Sequence, residues 1–555
     1  MPSAAAFEVK PMAGLALAAQ RDNWKWRHGW IGKLKNVLVG AELTAIASRM
    51  DAIDYRTANR RVSSLAQRLR ASNIHRAFDE QKIRDFAENH ARLCGRLPTL
   101  EERESFATYA GVEPPQGRAV TKQGALARLA DPLWWRRQVR KVWTRSSEDG
   151  ERAIGMVRKG RAPYASDDAV QRRAAQKRRM REWLTNHQAV SDDGATIALE
   201  ALADGSLANP ALRRGELMAR SRGFEEIARA LGHEAIFVTL TTPSRFHAQL
   251  AASGENPNHD GSSVRDGQAW LTKTWARARA KLARAGILTY GFRVAEPHHD
   301  GTPHWHFLLF ARPDGLDRGG VSALLAVLLR YALKDSGDEP GAREKRCVAE
   351  RVDTAKGCPT GYLSKYISKN VDGAGAIKNE RSDEDDSRPI NTERGGTVER
   401  VEAWASTHGI RQFAQIGGPT VSLYREARRL RHRVDDPDIE GARILADSGR
   451  CGGFITWIGG IACGRRTNLR LERIERGKLN RYGEARPSEI IGLRWASAVA
   501  ITRPCQWRIE RKPCSSASLF SALGPVAITV RGASGYNEPA GWTNPQETSQ
   551  AGPER

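Results

Sequence analysis

The chain has 555 residues, and its 88 lysines and arginines outnumber 64 aspartates and glutamates to give a formal net charge of +24. This length predicts two to four domains, and this charge favours a polyanionic partner, because each neutralised phosphate releases condensed counterions. The sequence shows no apolar run long enough to span a membrane, no amphipathic membrane-binding pattern and no lipidation signal, so we expect no membrane partner.

The first 225 residues are predicted to be mainly helical. Residues 1–115 carry no recognisable chemistry, whereas residues 116–225 are rich in arginine. Two stretches of this second region, 134–143 and 172–183, fit helices with a basic face and an aromatic stripe. We expect their tryptophans in the protein core. Their arginines either form an ordinary solvated surface or contact phosphates of DNA, and the candidates for that contact are Arg136, Arg137, Arg172, Arg173, Arg178 and Arg179.

The segment 226–375 alternates short β-branched runs with amphipathic stretches. Its predicted elements are a strand at 235–241, a helix at 264–285, strands at 287–295 and 304–311, a helix at 321–333, a strand at 346–353 and a helix at 359–370. The Asp300-Gly301 pair indicates that the second and third strands form a hairpin. This order predicts an α+β domain in which helices flank a mainly antiparallel central sheet, with helical regions before and after it in the chain.

Three further segments follow this domain. Residues 376–398 are polar and charged with a Pro and a Gly pair, which predicts a linker. Residues 399–500 return to a mixed, largely helical pattern, and residues 501–555 become rich in Ser, Gly and Pro, which predicts a loosely ordered tail. The seven cysteines of the chain are scattered and never spaced Cys-x-x-Cys, so reduced thiols are favoured over a disulfide framework or a zinc ribbon.

Two histidines open an otherwise apolar predicted strand. His304 and His306 are two residues apart, so on a strand both imidazoles face the same side and can bind one cation. A His-x-His pair is often only a surface feature, but two histidines at the start of an apolar strand need a reason. A divalent cation such as Mg²⁺ or Mn²⁺ also needs an oxygen ligand, and Glu296 at the end of the preceding strand is the candidate.

The hairpin between these strands decides which face Glu296 occupies. Glu296 faces the histidines only if it lies opposite residue 304 or 306, which requires an odd number of loop residues. A two-residue turn at Asp300-Gly301 would instead direct it to the other face of the sheet. In that case the substitute ligands are His298, His299 and Asp300. The third ligand stays open at this point.

A predicted helix after the fourth strand carries two tyrosines. Tyr362 and Tyr366 are four residues apart, which places both on one helix face. In isolation they would be ordinary half-buried aromatics, but they follow a candidate metal strand and lie among basic residues. Lys365 and Lys369 are candidates to support a phosphate or a phenolate, and solvated lysines are the simpler alternative.

Together these residues fit phosphoryl transfer. A bound cation neutralises charge on a scissile phosphate, and a tyrosine oxygen attacks in line to give a phosphotyrosine bond and a free 3′ hydroxyl. The covalent link conserves the energy of the broken phosphodiester, so resealing needs no nucleotide. A second tyrosine on the same face permits a second cut while the first end remains joined.

These motifs resemble the bacteriophage replication gene A protein family within the HUH endonucleases. That superfamily is named for a His-hydrophobic-His motif, matched by His304-Trp305-His306, and its replication initiators carry a Tyr-x-x-x-Tyr pair, matched by Tyr362 and Tyr366. Three further segments are similar to the family, the upstream strand at 237–241 and the phage-like flanks at 296–304 and 404–413. The resemblance covers roughly residues 120–430.

The resemblance implies metal-dependent nicking of one DNA strand at a specific site, with the 5′ end joined to tyrosine, to begin and end rolling-circle replication of phage or prophage DNA. It implies Mg²⁺ or Mn²⁺ as cofactor, single-stranded or supercoiled DNA at a replication origin as substrate, and the bacterial cytoplasm as location. The sequence shows no complete phosphate-loop motif, so strand separation is expected from a host helicase and replication machinery or from supercoiling.

Three alternatives stay open at this point. A plasmid relaxase or a single-strand transposase shares the metal strand, although the tyrosine number and the phage-like flanks argue against both. A non-catalytic DNA-binding protein with a structural metal would tolerate loss of either tyrosine. A two-histidine metallohydrolase acting on small molecules would need further ligands after His306, where the sequence continues Phe307-Leu308-Leu309.

Overall fold

The computed structural model of the protein describes residues 79–153, 155–250, 254–315, 319–353, 357–371 and 396–513. The described residues fall into two compact units, a larger one within residues 79–176 and 217–504 and a smaller one within residues 177–216 and 505–513. Helices and antiparallel sheets make up the described elements, which confirms the predicted α+β class. Within the described residues, no helix is both long and apolar enough to cross a membrane.

The described helices and strands are numbered in chain order. The helices α1 to α15 are Glu80–Gly95, Leu100–Tyr109, Lys122–Leu129, Pro132–Ala153, Asp167–Thr185, Leu199–Asp204, Pro210–Ala230, Val264–Arg284, Val321–Ala332, Ala342–Lys345, Pro359–Val371, Thr397–His408, Val421–Ala427, Pro437–Asp447 and Cys451–Trp457. The strands β1 to β13 are His187–Ser191, Thr196–Ala198, Glu234–Leu240, Gln249–Leu250, Gly254–Glu255, Tyr290–Pro297, Pro303–Ala311, Cys347–Arg351, Phe413–Ile416, Leu469–Ile474, Glu489–Trp495, Ala498–Ile501 and Trp507–Arg511.

Local sequence signals account for several helix ends. Ser263 and Asp266 form a capping box at the start of α8, in which each side chain accepts from the other residue's backbone N–H. Asp436 caps α14, and Pro437 at its first turn has no N–H to leave unsatisfied. Gly409 ends α12 with φ of 62°, the left-handed conformation that glycine adopts without strain.

The central sheet of the larger unit has five strands in the order β8-β3-β7-β6-β9, and every neighbouring pair is antiparallel. Strands β6 and β7 form the predicted hairpin and are buried along their whole length. Strand β9 lies at the sheet edge and was not predicted, because four residues are too few to show a reliable period.

Successive side chains of β7 point to opposite faces of the sheet and so enter two different cores. Phe307 packs on one face of the sheet, in a cluster that includes residues of α8 and α9. Leu308 faces the other way, into a cluster that includes Leu363 of α11. Because residues two apart on a strand share a face, His304 and His306 lie on the same side as Leu308, toward α11.

Helices α1 to α4 contribute a third core. Trp134 and Trp135 are buried in it, and Trp135 Nε1 donates to the carbonyl of Leu129 at 2.8 Å. The prediction that the tryptophans of the first basic stretch lie in a core is therefore confirmed for this pair. For the second stretch the prediction is wrong, since Trp183 is 42% exposed. Helix α5 buries only Ala169 among its described residues and has no continuous apolar stripe.

The C-terminal part of the larger unit combines α13 to α15 with a second antiparallel sheet, ordered β10-β11-β12. Part of the predicted tail is also regular structure, because β13 pairs with β1 of the smaller unit through an antiparallel ladder. The expectation of a loosely ordered tail is thus wrong for residues 507–511. Residues 1–78, most of the predicted linker at 376–398 and residues 514–555 lie outside the described part of the chain.

Candidate metal centre and tyrosine helix

The register of the β6–β7 hairpin places Glu296 directly opposite His304, and Val294 opposite His306. Pro297 pairs with Pro303, so the loop between them has five residues, an odd number. Glu296 therefore lies on the same face of the sheet as the two histidines. The Asp300-Gly301 pair belongs to this longer loop and does not form a two-residue turn.

The loop is fixed by buried hydrogen bonds. The Asp300 carboxylate accepts from the N–H and the hydroxyl of Thr302, at 3.0 and 2.8 Å. Arg152, at the end of α4, donates to the Asp300 carbonyl at 2.6 Å, and Trp404 donates to the Gly301 carbonyl at 2.8 Å. Asp300 thus stabilises the loop, and its carboxylate is not among the clustered ligand atoms of Glu296, His304 and His306.

The side chains of Glu296, His304 and His306 offer one ligand atom each, and these atoms all lie within 4.8 Å of one another. The two histidine Nε2 atoms are 2.8 Å apart, and His306 Nε2 lies 3.9 Å from a Glu296 oxygen. All three residues are buried. Two imidazole nitrogens and one carboxylate oxygen form a donor set that suits a divalent cation, so the residues present fit a metal ion.

The histidines are poised in the neutral form that binds metals. Burial and the charge of Lys369 lower the pKa of His306 to about 4, although the nearby Glu296 carboxylate raises it. Burial and the neighbouring His298 also hold the pKa of His304 well below its usual range. On the far side of the His306 ring, Nδ1 lies 3.0 Å from the Thr239 hydroxyl, which fixes the ring orientation.

Two side chains of helix α11 hold the Glu296 carboxylate in place. The Asn370 amide donates to one carboxylate oxygen, and Lys369 Nζ lies 3.2 Å from the other. Gln412 Nε2 donates to Asn370 Oδ1 at 3.0 Å, which fixes the orientation of that amide. Asn370 and Gln412 were not predicted as site residues. The helical spacing of Asn370 from Tyr366 was the one available signal, because residues four apart share a face.

The same helix brings one tyrosine against the metal group. The Tyr366 ring lies 4.4 Å from the His306 ring between centroids, and it stacks on Phe237 at 5.2 Å. Tyr362 is half-buried one turn earlier on α11. Lys365 is exposed on this helix, and Lys369 is half-buried beside Glu296.

Two further histidines lie next to the metal group. The His298 ring is 4.0 Å from the His304 ring, and the His247 ring is 4.9 Å from His298. His247 Nδ1 lies 3.6 Å from an Asp300 oxygen, which connects this row of rings to the loop. The sequence offered His298 as a substitute for Glu296, and the structure instead places it behind His304.

Residues 54–374 match the sequence profile of the family described as bacteriophage replication gene A protein (GPA). The match covers more than half of the chain. The chain belongs to this family.

Several relatives of this gene A family member are similar over most of its length. The replication gene A protein of Escherichia phage 186 is 39% identical over 485 residues, which cover 82% of this chain and 66% of the relative. The replication gene A protein of Escherichia phage P2 is 35% identical over 447 residues, covering 77% of this chain and 57% of the relative. A probable replication endonuclease from a prophage-like region of Salmonella paratyphi A is 34% identical over 427 residues, covering 74% of this chain and 52% of the relative.

The chain therefore spans at most about two thirds of the length of these relatives. No solved structure matches it.

The arginines predicted to contact DNA fall into two groups in this gene A family member. Four of them already contact protein groups: Arg136 pairs with Glu80, Arg137 Nη2 lies 3.4 Å from the Tyr482 hydroxyl, Arg172 lies 3.7 Å from Glu148, and Arg173 pairs with Glu402 at 2.8 Å. Arg178 and Arg179 are exposed on α5. The exposed pair is better placed for phosphate contact than Arg172 or Arg173, whose charges are offset by carboxylates.

Proposed function

We propose that this chain is a metal-dependent tyrosine endonuclease that nicks one DNA strand and keeps the 5′ end joined to tyrosine, beginning and ending rolling-circle replication of phage or prophage DNA. The observation that carries the proposal is the contact of the Tyr366 ring with His306, at the edge of the buried group of Glu296, His304 and His306. A basic side chain beside the same group gives further support, since Lys369 Nζ lies 3.2 Å from a Glu296 oxygen.

The reaction exchanges one phosphorus–oxygen bond for another. The Tyr366 oxygen attacks the scissile phosphorus in line and loses its phenolic proton to solvent, while the bond from phosphorus to the 3′ oxygen breaks and that oxygen takes up a proton. A divalent cation, when bound, would withdraw charge from the non-bridging oxygens of the phosphate. Lys369 and Lys365 would support the anionic phosphate or the phenolate beside the tyrosines.

The two tyrosines are assigned different steps. Tyr366 contacts His306, whereas Tyr362 lies four residues earlier, about 6 Å away along the helix axis. We therefore assign the first cut to Tyr366 and the second cut, made while the first 5′ end is still attached, to Tyr362. A second nucleophile on the same helix face lets one metal group serve both cuts.

The family supports the wider role. Relatives are named replication gene A proteins and probable replication endonucleases of phage and prophage origin. We propose that this chain likewise acts on single-stranded or supercoiled DNA at a replication origin, with Mg²⁺ or Mn²⁺ as cofactor, in the bacterial cytoplasm. A host helicase would then separate the strands, and the host replication machinery would extend the free 3′ end.

Adduct formation tests the proposal directly. The protein is incubated with labelled single-stranded DNA from its own gene region, with and without Mn²⁺, and a denaturing gel is examined for a covalent complex. We expect an adduct that forms only with the metal. Absence of any adduct over the whole region would favour a non-catalytic DNA-binding protein with a structural metal.

Tyrosine variants identify the nucleophile on the same oligonucleotide. Tyr366→Phe should lose most of the adduct and Tyr362→Phe less, because phenylalanine keeps the ring and removes only the hydroxyl. The double variant should give none while retaining fold and DNA binding. Adduct that persists in the double variant would show that the nucleophile lies elsewhere.

A further inference from the structure

The smaller unit contains a three-stranded antiparallel sheet in the order β13-β1-β2. Its register places Ile509 and Ile197 on either side of Ala189, so these three side chains share one face. Trp507 and Arg511 lie two residues before and after Ile509 on β13, so they belong to the same face.

The two outer strands expose apolar side chains on this face, whereas the two residues of β1 that lie opposite Ile509 and Trp507 are buried. Trp507 is 46% exposed, Ile509 59% and Ile197 37%. Apolar side chains that cluster on an exposed sheet face indicate a binding surface, whereas isolated ones need no explanation. We call the face formed by Ile197, Trp507, Ile509 and Arg511 the sheet platform.

An aromatic stack on α5 extends the sheet platform. His187 of β1 lies directly opposite Arg511 in the ladder and therefore faces the same way. The Trp183 ring stacks on His187, with centroids 4.4 Å apart and planes 23° apart, and Trp183 is 42% exposed. Arg179, one turn earlier on the same side of α5, is exposed.

The charges along this surface are suited to an anionic partner. Arg179 and Arg511 lie at its His187 end, and the positions of β1, β2 and β13 that form the face carry no carboxylate. Glu510 lies on the opposite face, where it pairs with Arg508. Asp192 and Asp193 lie in the β1–β2 turn, at the Trp507 end, so the basic part is confined to the end near His187.

We propose that the sheet platform and the Trp183–His187 stack bind a short segment of single-stranded DNA, with bases on the aromatic rings and phosphates at Arg179 and Arg511. Stacking on tryptophan needs unpaired bases, because a duplex buries its base faces. The distance from Arg511 to Trp507 along β13 is about 13 Å, which suits two or three bases on a sheet surface. The inference rests on the proposed function only in taking DNA as the polyanion.

Equilibrium binding of the full chain to a labelled oligo-dT, by fluorescence anisotropy, tests the inference. Trp507→Ala and Trp183→Ala should each weaken binding about 5- to 150-fold. Trp457→Ala is the matched control, because Trp457 is 44% exposed in the larger unit and should change binding little. Trp507→Phe should retain part of the affinity, since a ring that can stack remains, and a duplex of the same length should show little difference among the variants.

Two results would overturn the inference. One is oligo-dT affinity in the Trp507 and Trp183 variants equal to that of the Trp457 control. The other is a change in oligomeric state by light scattering with unchanged oligo-dT binding, which would make the face a contact between copies of the chain. Arg511→Gln is a second test in which no folding defect is expected, because the Arg511 side chain is exposed. Loss of its charge should by itself weaken oligo-dT binding.

The inference and the proposed function fail separately. The paired substitution His304→Ala with His306→Ala should leave oligo-dT binding intact even though nicking is lost. Normal adduct yield together with unaltered oligo-dT binding by the tryptophan variants would refute DNA binding by the sheet platform without contradicting the proposed endonuclease activity.

Discussion

Asn370→Leu tests whether the helix that carries the tyrosines also positions a metal ligand. Leucine keeps the branching at Cγ and has a higher helix propensity than asparagine, while removing the amide that donates to Glu296 and accepts from Gln412. Asn370 is only 4% exposed, so solvent has little access to replace the lost donor. The substitution should therefore loosen Glu296 without touching the three ligand residues themselves.

The size of the effect follows from the contacts. A hydrogen bond to a charged group contributes about 1.5–3 kcal/mol, which is roughly 10- to 150-fold in an equilibrium constant. Lys369 Nζ still lies 3.2 Å from the other carboxylate oxygen, so Glu296 is only partly released. We expect the dissociation constant for Mn²⁺ to rise about tenfold, at the low end of the range for residues that orient metal ligands.

Calorimetric titration with Mn²⁺ measures this change. The matched control is Asn480→Leu, because Asn480 Nδ2 also donates to a glutamate, Glu484, at 2.8 Å, in a network with Arg128. It should lower the free energy of unfolding without changing Mn²⁺ affinity. Wild-type affinity in Asn370→Leu, with weakened affinity in Glu296→Gln, would refute the assigned role of Asn370. Wild-type affinity in both would refute the metal centre.

Three further predictions concern the site, the charge and the fold. His304→Ala combined with His306→Ala should reduce the adduct yield below about 1% of wild type. DNA affinity should change less than about threefold, because phosphate contacts supply most of it. Full nicking by this double variant would contradict the metal centre. DNA affinity should fall about 10³-fold or more between about 50 and 200 mM salt if six or more phosphates are contacted, and a log–log slope near zero would exclude that. Burial and the charges of Arg152, Arg145 and Arg265 hold the pKa of the buried His408 well below 6.5. The unfolded chain then binds a proton at His408 that the fold does not. His408 by itself should therefore lower the free energy of unfolding by about 1.4 kcal/mol from about pH 7.5 to about pH 5.5, in addition to the contributions of the other buried histidines. Urea denaturation of wild type and His408→Gln checks this, and equal pH slopes would contradict it.

The period of two along β7 made the shared face of His304 and His306 predictable from sequence. The position of Glu296 was only conditional, because register depends on loop length and the Asp300-Gly301 pair is a strong signal for a shorter turn. The structure uses Asp300 differently, as the acceptor that fixes a five-residue loop. That role depends on contacts with distant residues such as Arg152, which no local pattern encodes.

The supporting residues of the site were harder to predict for a related reason. Helical spacing places Asn370 on the face of Tyr366, but nothing in the sequence says that this face packs against the end of β6. Gln412 lies just before β9, a strand too short to show a period. Trp183 shows the opposite error, since an aromatic residue in a helical pattern suggested a core position and the helix exposes it.

The hydrogen bonds from α11 to Glu296 join two equilibria that would otherwise be separate. Occupation of Glu296 by a cation and docking of the tyrosine helix on the sheet share the same carboxylate, so each must alter the other by an equal factor. A cation that favours the docked helix would thereby brace Tyr366 before DNA arrives. DNA engaged by Tyr366 would in turn raise the affinity of the site for the cation by the same factor.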